Sequence, residues 1–221
     1  MKLVGFGCSF TYGSELVDPE IGPEFHHKNT HYREDKVWLG QLAEMLGTDV
    51  WSDNRSEPGN SNYAVQYQFV DWFNNNRDPN ETVAVCVAWT SPRRFSWLGK
   101  KWIHNGYIQN DGETLFKNSH KDWITSGIDN VYYTDAAKLF VNSVCNLHNI
   151  PIVQFNAIGI HKSTSYKGYF MDGMTMKGCL QDAMKSDDRL DLFASGGHPN
   201  EAGHEYFTIR LTDFAKDRII V

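Results

Sequence analysis

The sequence predicts a three-layer α/β/α domain on a central parallel sheet, and three observations carry that expectation. Apolar, strand-like runs alternate with helical patterns along the chain, the order that parallel strands with helical crossovers produce. The segment Thr82–Trp89 (TVAVCVAW) is β-branched and apolar on both faces, as a strand in the middle of such a sheet must be. Finally, 221 residues are enough for one large core, and no linker, internal repeat or low-complexity tract divides them. Residues 1–221 are therefore expected to form a single domain.

Taken in order, Lys2 to Gly7 is a short apolar run that stops at Gly-Cys-Ser, a buried strand ending in a tight turn. A loop rich in His, Pro and charge is expected from Val17 to Lys36. From Val37 to Leu46, apolar residues Trp38, Leu39, Leu42, Met45 and Leu46 recur at helical spacing, with Gly47 as a stop. A short strand near Asp49 to Ser52 precedes a polar turn, Asn54 to Asn62, and a second helix over about Ser61 to Asn75 begins at an Asn60 or Ser61 cap. After the central strand, hairpin chemistry (Asn105-Gly106, Asn110-Asp111-Gly112) marks an insertion or lid at about 96–130. A helix from about Tyr133 to His148, a buried strand Pro151 to Asn156, a second insertion at about 157–195, and a helix after Pro199 running to about Lys216 complete the order.

Composition excludes several classes. With 41% hydrophobic and 22% charged residues the chain should be globular. Lys and Arg total 21 against 27 Asp and Glu, a net charge of −6, which argues against wrapping nucleic acid. No apolar run reaches the roughly 20 residues of a membrane span, and the apolar stretch from Leu3 to Cys8 is too short for a signal peptide. The expectation is a soluble, cytoplasmic protein. Its cysteines, Cys8, Cys86, Cys145 and Cys179, show no CxxC or zinc spacing and are expected to be free thiols. His26, His27 and His31 lack thiolates and a helical i, i+4 register, so no metal site is expected there. Gly5-Phe6-Gly7 begins like a dinucleotide fingerprint, but Phe10 occupies the third glycine position, and no phosphate-binding GxxxxGK[ST] occurs. No cofactor is expected.

Ligands of open α/β sheets bind beyond the carboxyl ends of the strands. The residues just after the predicted strands are Gly7-Cys8-Ser9-Phe10-Thr11-Tyr12-Gly13, Pro58-Gly59-Asn60-Ser61-Asn62, Trp89-Thr90-Ser91-Pro92 and Asn156. Before the last helix stands Gly196-Gly197-His198-Pro199-Asn200-Glu201-Ala202-Gly203-His204. A serine at one end of the chain, glycine and amide turns between, and a histidine at the other end are the parts acyl transfer needs. Cys8 should face away from Ser9 into the core. His204, six residues after His198, is expected to be structural or exposed.

GCSFTYG, PGNSN and GGHPNEAGH, in this order, resemble the blocks of the SGNH (GDSL) hydrolase superfamily, and together they span almost the whole chain. The mix of GCSFTYG, PGNSN and WTSPRR also resembles SGNH-like proteins of tailed bacteriophages. The resemblance implies a flavodoxin-like fold and an ester hydrolase, with O-acyl or acetyl groups on a carbohydrate among its substrates. It implies Ser9 as nucleophile, His198 as general base, and backbone N–H groups of Ser9 and Gly59 as oxyanion donors.

The family pattern departs at two places. Its oxyanion Asn after the central strand is replaced by Ala88-Trp89-Thr90-Ser91, so Thr90 or Ser91 substitutes, or an amide of Asn60 or Asn62 reaches in. Its orienting Asp, three residues before the His, is replaced by Ser195. Either Asp191 turns in, or a Ser-His dyad leans on a backbone carbonyl. Three functions stay open: an esterase, a weak or inactive fold serving as a phage structural or binding protein, and an acyl transferase. If the chain is phage-encoded, the host cytoplasm or a virion is its place. Trp97, Trp102, Tyr107, Trp123, Tyr132 and Tyr133 suit a sugar-binding cleft, a packed lid or a subunit interface, whether between copies of this chain or with a virion partner.

Overall fold

Four strands, β1 (Lys2–Phe6), β2 (Trp51–Asn54), β3 (Val83–Trp89) and β6 (Ile152–Asn156), form one parallel sheet in the order β2-β1-β3-β6. This is a computed structural model, and it describes residues 1–22, 30–92, 94–97, 103–105, 128–158, 181, 184, 185 and 188–219. All seven residues of β3 are buried, as its unbroken apolar run requires of an interior strand. The register pairs Leu3 with Ser52 on one side and with Ala84 on the other, and Trp89 with Asn156, so the strands end together at one edge of the sheet.

Alternation along β3 sorts its side chains between two cores. Ala84, Cys86 and Ala88 face the layer of α3 (Trp38–Leu46) and α6 (Glu201–Ile219). Their small size leaves room for Trp38, Phe155 and Phe207, whose rings pack edge-on or tilted at 4.9 Å and 4.6 Å across Phe155. Val83, Val85, Val87 and Trp89 face α4 (Asn62–Asp71) and α5 (Ile128–Leu147), meeting Val65, Phe69, Val141 and Cys145. The one polar residue inside β6, Gln154, is fully buried and accepts a hydrogen bond from Trp89 Nε1 at 2.9 Å. The three-layer α/β/α expectation holds.

Several boundaries differ from those expected. Within the predicted loop Val17 to Lys36, Thr30–Lys36 is a helix, α2, lacking an apolar stripe. It is docked through polar contacts: Arg33 lies over the Tyr12 ring, and Tyr32 and Lys36 both reach Glu201 of α6. Asn54 belongs to β2 and not to the turn. The helix α4 begins after a Ser61 cap that accepts from Ala64 N, then widens into a π-helical turn over Trp72–Asn76. The α5 helix starts five residues earlier than its apolar pattern suggests. In the first insertion, β4 (Phe95–Trp97) and β5 (Ile103–Asn105) pair antiparallel, and Gly106 of the expected Asn105-Gly106 turn lies outside the described residues. The Asn110-Asp111-Gly112 turn and most of both insertions lie outside the described residues.

Candidate active site

The carboxyl edge of the sheet brings the ends of β1 and β3 together with the loop before α6. After Phe6, Gly7 turns the chain so tightly that a Cβ there would lie 2.3 Å from Thr11 Oγ1. Cys8 then caps a single helical turn, α1 (Ser9–Tyr12), which ends on Gly13 in the left-handed conformation. Cys8 is wholly buried in the α3/α6 core, as expected, and Ser9 opens the helix on the other side of that cap.

The turn is braced from outside at several points. Trp38 Nε1 donates to Thr11 Oγ1 at 3.3 Å, Asn54 Nδ2 donates to Thr11 O at 2.6 Å, and Asn60 Nδ2 donates to Gly7 O at 2.8 Å. Ser9 is 4% exposed, and its Oγ has no hydrogen-bond partner among the described residues. A buried hydroxyl left unpaired is costly.

His198 arrives from the opposite end of the chain, between Gly197 at φ 85° and Pro199. Its loop is folded on itself by Ala194 N donating to His198 O at 2.8 Å and Asn200 N to Leu192 O at 2.9 Å. The His198 ring packs 5.6 Å from that of Phe10, the residue after Ser9. The contact of Phe10 with His198 thus joins the serine segment to a loop 189 positions further along the chain.

The carboxylate at His198 is that of Glu15, which lies six residues beyond Ser9 and adopts φ 68°. Glu15 Oε2 is 2.7 Å from His198 Nδ1 and accepts the His198 backbone N–H at 3.2 Å, while Oε1 accepts Gly196 N–H at 2.7 Å. Burial pushes the Glu15 carboxyl upward, but the hydrogen bonds from the His198 ring and the two backbone N–H groups outweigh it and hold the group below its ordinary range. A carboxylate only accepts, so Nδ1 carries the proton of the neutral ring and Nε2 keeps its lone pair.

Asp191, the expected candidate for orienting acid, is not at the ring. It is 63% exposed, and its two oxygens each take a 2.9 Å hydrogen bond from Arg189, which holds the carboxyl below its usual range. Its contribution to the loop is its backbone oxygen, which accepts from Asn200 Nδ2 at 2.7 Å. Ser195 is exposed on the same loop.

The expected oxyanion residues divide. Gly59 sits in its turn at φ 81°. Both N–H groups of the Asn60 amide are spent, on Gly7 O and on Gln68 Oε1, so this side chain braces the serine turn and offers no donor. Asn62 is likewise engaged: its Oδ1 accepts Thr90 N–H at 2.8 Å, and its Nδ2 donates to Thr90 O and Thr134 Oγ1. Thr90 is fixed by that clasp, yet its buried Oγ1 has no partner among the described residues, which makes it the side-chain hydroxyl left available at the end of β3. Beyond it, Lys138 Nζ donates to Asn156 Oδ1 at 3.0 Å and lies 3.9 Å from Asp135; burial pushes the Lys138 amine down and the Asp135 carboxyl up.

His204 is fully buried, accepting Trp38 N–H at Nδ1, and burial pushes its pKa down to about 3. Cys86 and Cys145 are buried free thiols pushed up to about 12, by burial first, which leaves them inert as nucleophiles. Among the described residues no cluster of His, Cys, Asp and Glu has the form of a metal site; His26 and His27 lie outside them, and His31 is exposed. No helix among them is long and apolar enough to cross a membrane.

No family model matches the sequence, and no curated protein matches it. Solved structures do. The psychrotrophic esterase EstA from Pseudoalteromonas sp., in a form inhibited by monoethylphosphonate, superposes with a TM-score of 0.55 at 11% identity, covering 98% of this chain and 97% of its own. The structure of TesA superposes with a TM-score of 0.51 at 11% identity, over 96% and 97%. At such identities the likeness is one of fold: the chain shares the α/β architecture of these two proteins over nearly its full length.

Proposed function

We propose that the protein is a serine ester hydrolase in which Ser9 is the nucleophile and His198 the general base. What supports this reading is the packing of Phe10, next to Ser9 at the end of β1, on a His198 whose Nδ1 is committed to a carboxylate, which leaves Nε2 as the proton acceptor. Ser9 Oγ attacks the ester carbonyl carbon while its proton passes to Nε2. The tetrahedral oxyanion is held by backbone N–H groups at Ser9 and Gly59, with Thr90 Oγ1 as a third donor. As the C–O bond to the alcohol breaks, Nε2 returns its proton to the leaving oxygen. Water then repeats the sequence on the acyl-enzyme, releasing the carboxylic acid and restoring Ser9. In this structure no hydrogen bond yet joins Ser9 Oγ to the imidazole; such bonds commonly tighten only when substrate is bound. The fold shared with the esterase EstA supports the same chemistry.

For the substrate we propose an O-acyl carbohydrate. Asn62, Thr90 and Thr134 clasp the first turns of α4 and α5 at the site end of the sheet, and the tyrosines beside them, Tyr63 and Tyr133, are 49% and 63% exposed. Half-exposed aromatic rings next to a hydrolytic centre suit stacking on a sugar face. The test is hydrolysis of p-nitrophenyl acetate and of acetylated oligosaccharides by the wild type and by Ser9→Ala and His198→Ala. Turnover that falls by about 10⁴-fold or more in each variant is expected. A folded wild type with no turnover above Ser9→Ala on any ester overturns the proposal and favours a binding role for this fold.

A further inference from the structure

We infer that Glu15 is the orienting carboxylate of this site, so that nucleophile and acid are supplied by one seven-residue segment, Ser9 to Glu15, and the base alone by the C-terminal loop. The inference rests on the Ser9–His198 reading. It differs from the arrangement that the sequence blocks imply, where the acid precedes the histidine by three residues; here that place is Ser195, and no acid is needed there because the position facing Nδ1 is filled from the other end of the chain.

Three features separate this from a simple loop latch. A latch would need only the two backbone N–H groups of Gly196 and His198, whereas Oε2 also sits 2.7 Å from the ring nitrogen that must carry the proton. The loop is shaped around the carboxylate: a Cβ at Gly196 would lie 2.6 Å from both Glu15 oxygens, so a side chain there would have to displace the carboxylate from its place. And Asp191, the alternative within the loop, has both oxygens taken up by Arg189. Glu15 acts through His198 and is thus a positioning residue: it fixes the tautomer and ring orientation and stabilises the imidazolium formed when Ser9 loses its proton. In the serine-protease template that service is worth about 10⁴ in turnover.

The experiment has two readouts. In the wild type labelled with ¹⁵N-histidine, the His198 ring, assigned by its absence in His198→Ala, should be protonated at Nδ1 with a far-downfield proton resonance, which Glu15→Gln should abolish. In ester hydrolysis, Glu15→Gln should lower kcat by about 10³- to 10⁴-fold with KM within a few-fold of wild type. An Nε2-protonated His198 in folded wild type overturns the inference without any variant having to fold. Wild-type kcat in folded Glu15→Gln also overturns it, while leaving the hydrolase reading intact. Conversely, a wild type that shows the resonance but hydrolyses no ester removes the hydrolase reading and keeps the Glu15–His198 pairing.

Discussion

The two ends of the chain that build this site are held in opposite ways. The Ser9 turn is secured redundantly, with Trp38, Asn54 and Asn60 each donating a hydrogen bond to it from a different element. The hydrogen bonds that tie the His198 loop to the serine segment converge on the Glu15 carboxylate, beside the packing of Phe10. The position of Ser9 should therefore survive the loss of any single brace, whereas that of His198 should not.

Changes that strike the single link should have the largest effects. Gly196→Ala places a methyl group against both Glu15 oxygens and must displace either the carboxylate or the loop. Because a misplacement of about 1 Å can cost about 10²-fold, its kcat/KM for p-nitrophenyl acetate should fall at least that far, with the fold retained by circular dichroism.

The same link should appear in the pH dependence of stability. Glu15 has a folded-state pKa below its ordinary value of 4.5, so its stabilising contribution is fully present above that value and is lost as pH falls through the lower, folded-state pKa. The Tm of wild type should exceed that of Glu15→Gln at neutral pH, and the two should converge on acidification below about pH 4.5. A gap in Tm that stays constant down to the acid limit would separate Glu15 from the His198 loop.

On the redundant side, Asn54→Ala removes the hydrogen bond to Thr11 O and the one its Oδ1 accepts from Ser56 N–H, and should cost about 1–3 kcal/mol of stability in chemical denaturation. Its kcat should stay within tenfold of wild type, since Trp38 and Asn60 still hold the turn. The smallest effect is expected at the rim: Tyr63→Ala and Tyr133→Ala should raise KM for acetylated oligosaccharides several-fold and leave p-nitrophenyl acetate hydrolysis unchanged.

The contrast also explains what could be seen in the sequence. The interior strand β3 was visible because burial on both faces leaves no polar position, and Ser9 and His198 were singled out because the blocks around them resemble those of a known hydrolase superfamily. Glu15 was not visible, because its partner lies 183 residues away and the left-handed φ that aims it leaves no mark on a non-glycine residue. The consecutive glycines 196 and 197 before His198 were the available hint, the first being the residue the carboxylate leaves no room to enlarge. Helix α2 escaped notice for a related reason: its docking runs through Arg33, Tyr32 and Lys36, so it shows no apolar periodicity. Asn60 and Asn62 were visible as amides near the site, but only the geometry shows that their hydrogen bonds are spent on Gly7, Gln68, Thr90 and Thr134.

The most direct test of the account is covalent labelling with a fluorophosphonate, followed by peptide mass analysis. The account predicts one phosphonyl adduct per chain, on Ser9, absent in Ser9→Ala and His198→Ala and formed far more slowly in Glu15→Gln. A folded wild type that stays unlabelled, or is labelled elsewhere than Ser9, would contradict it.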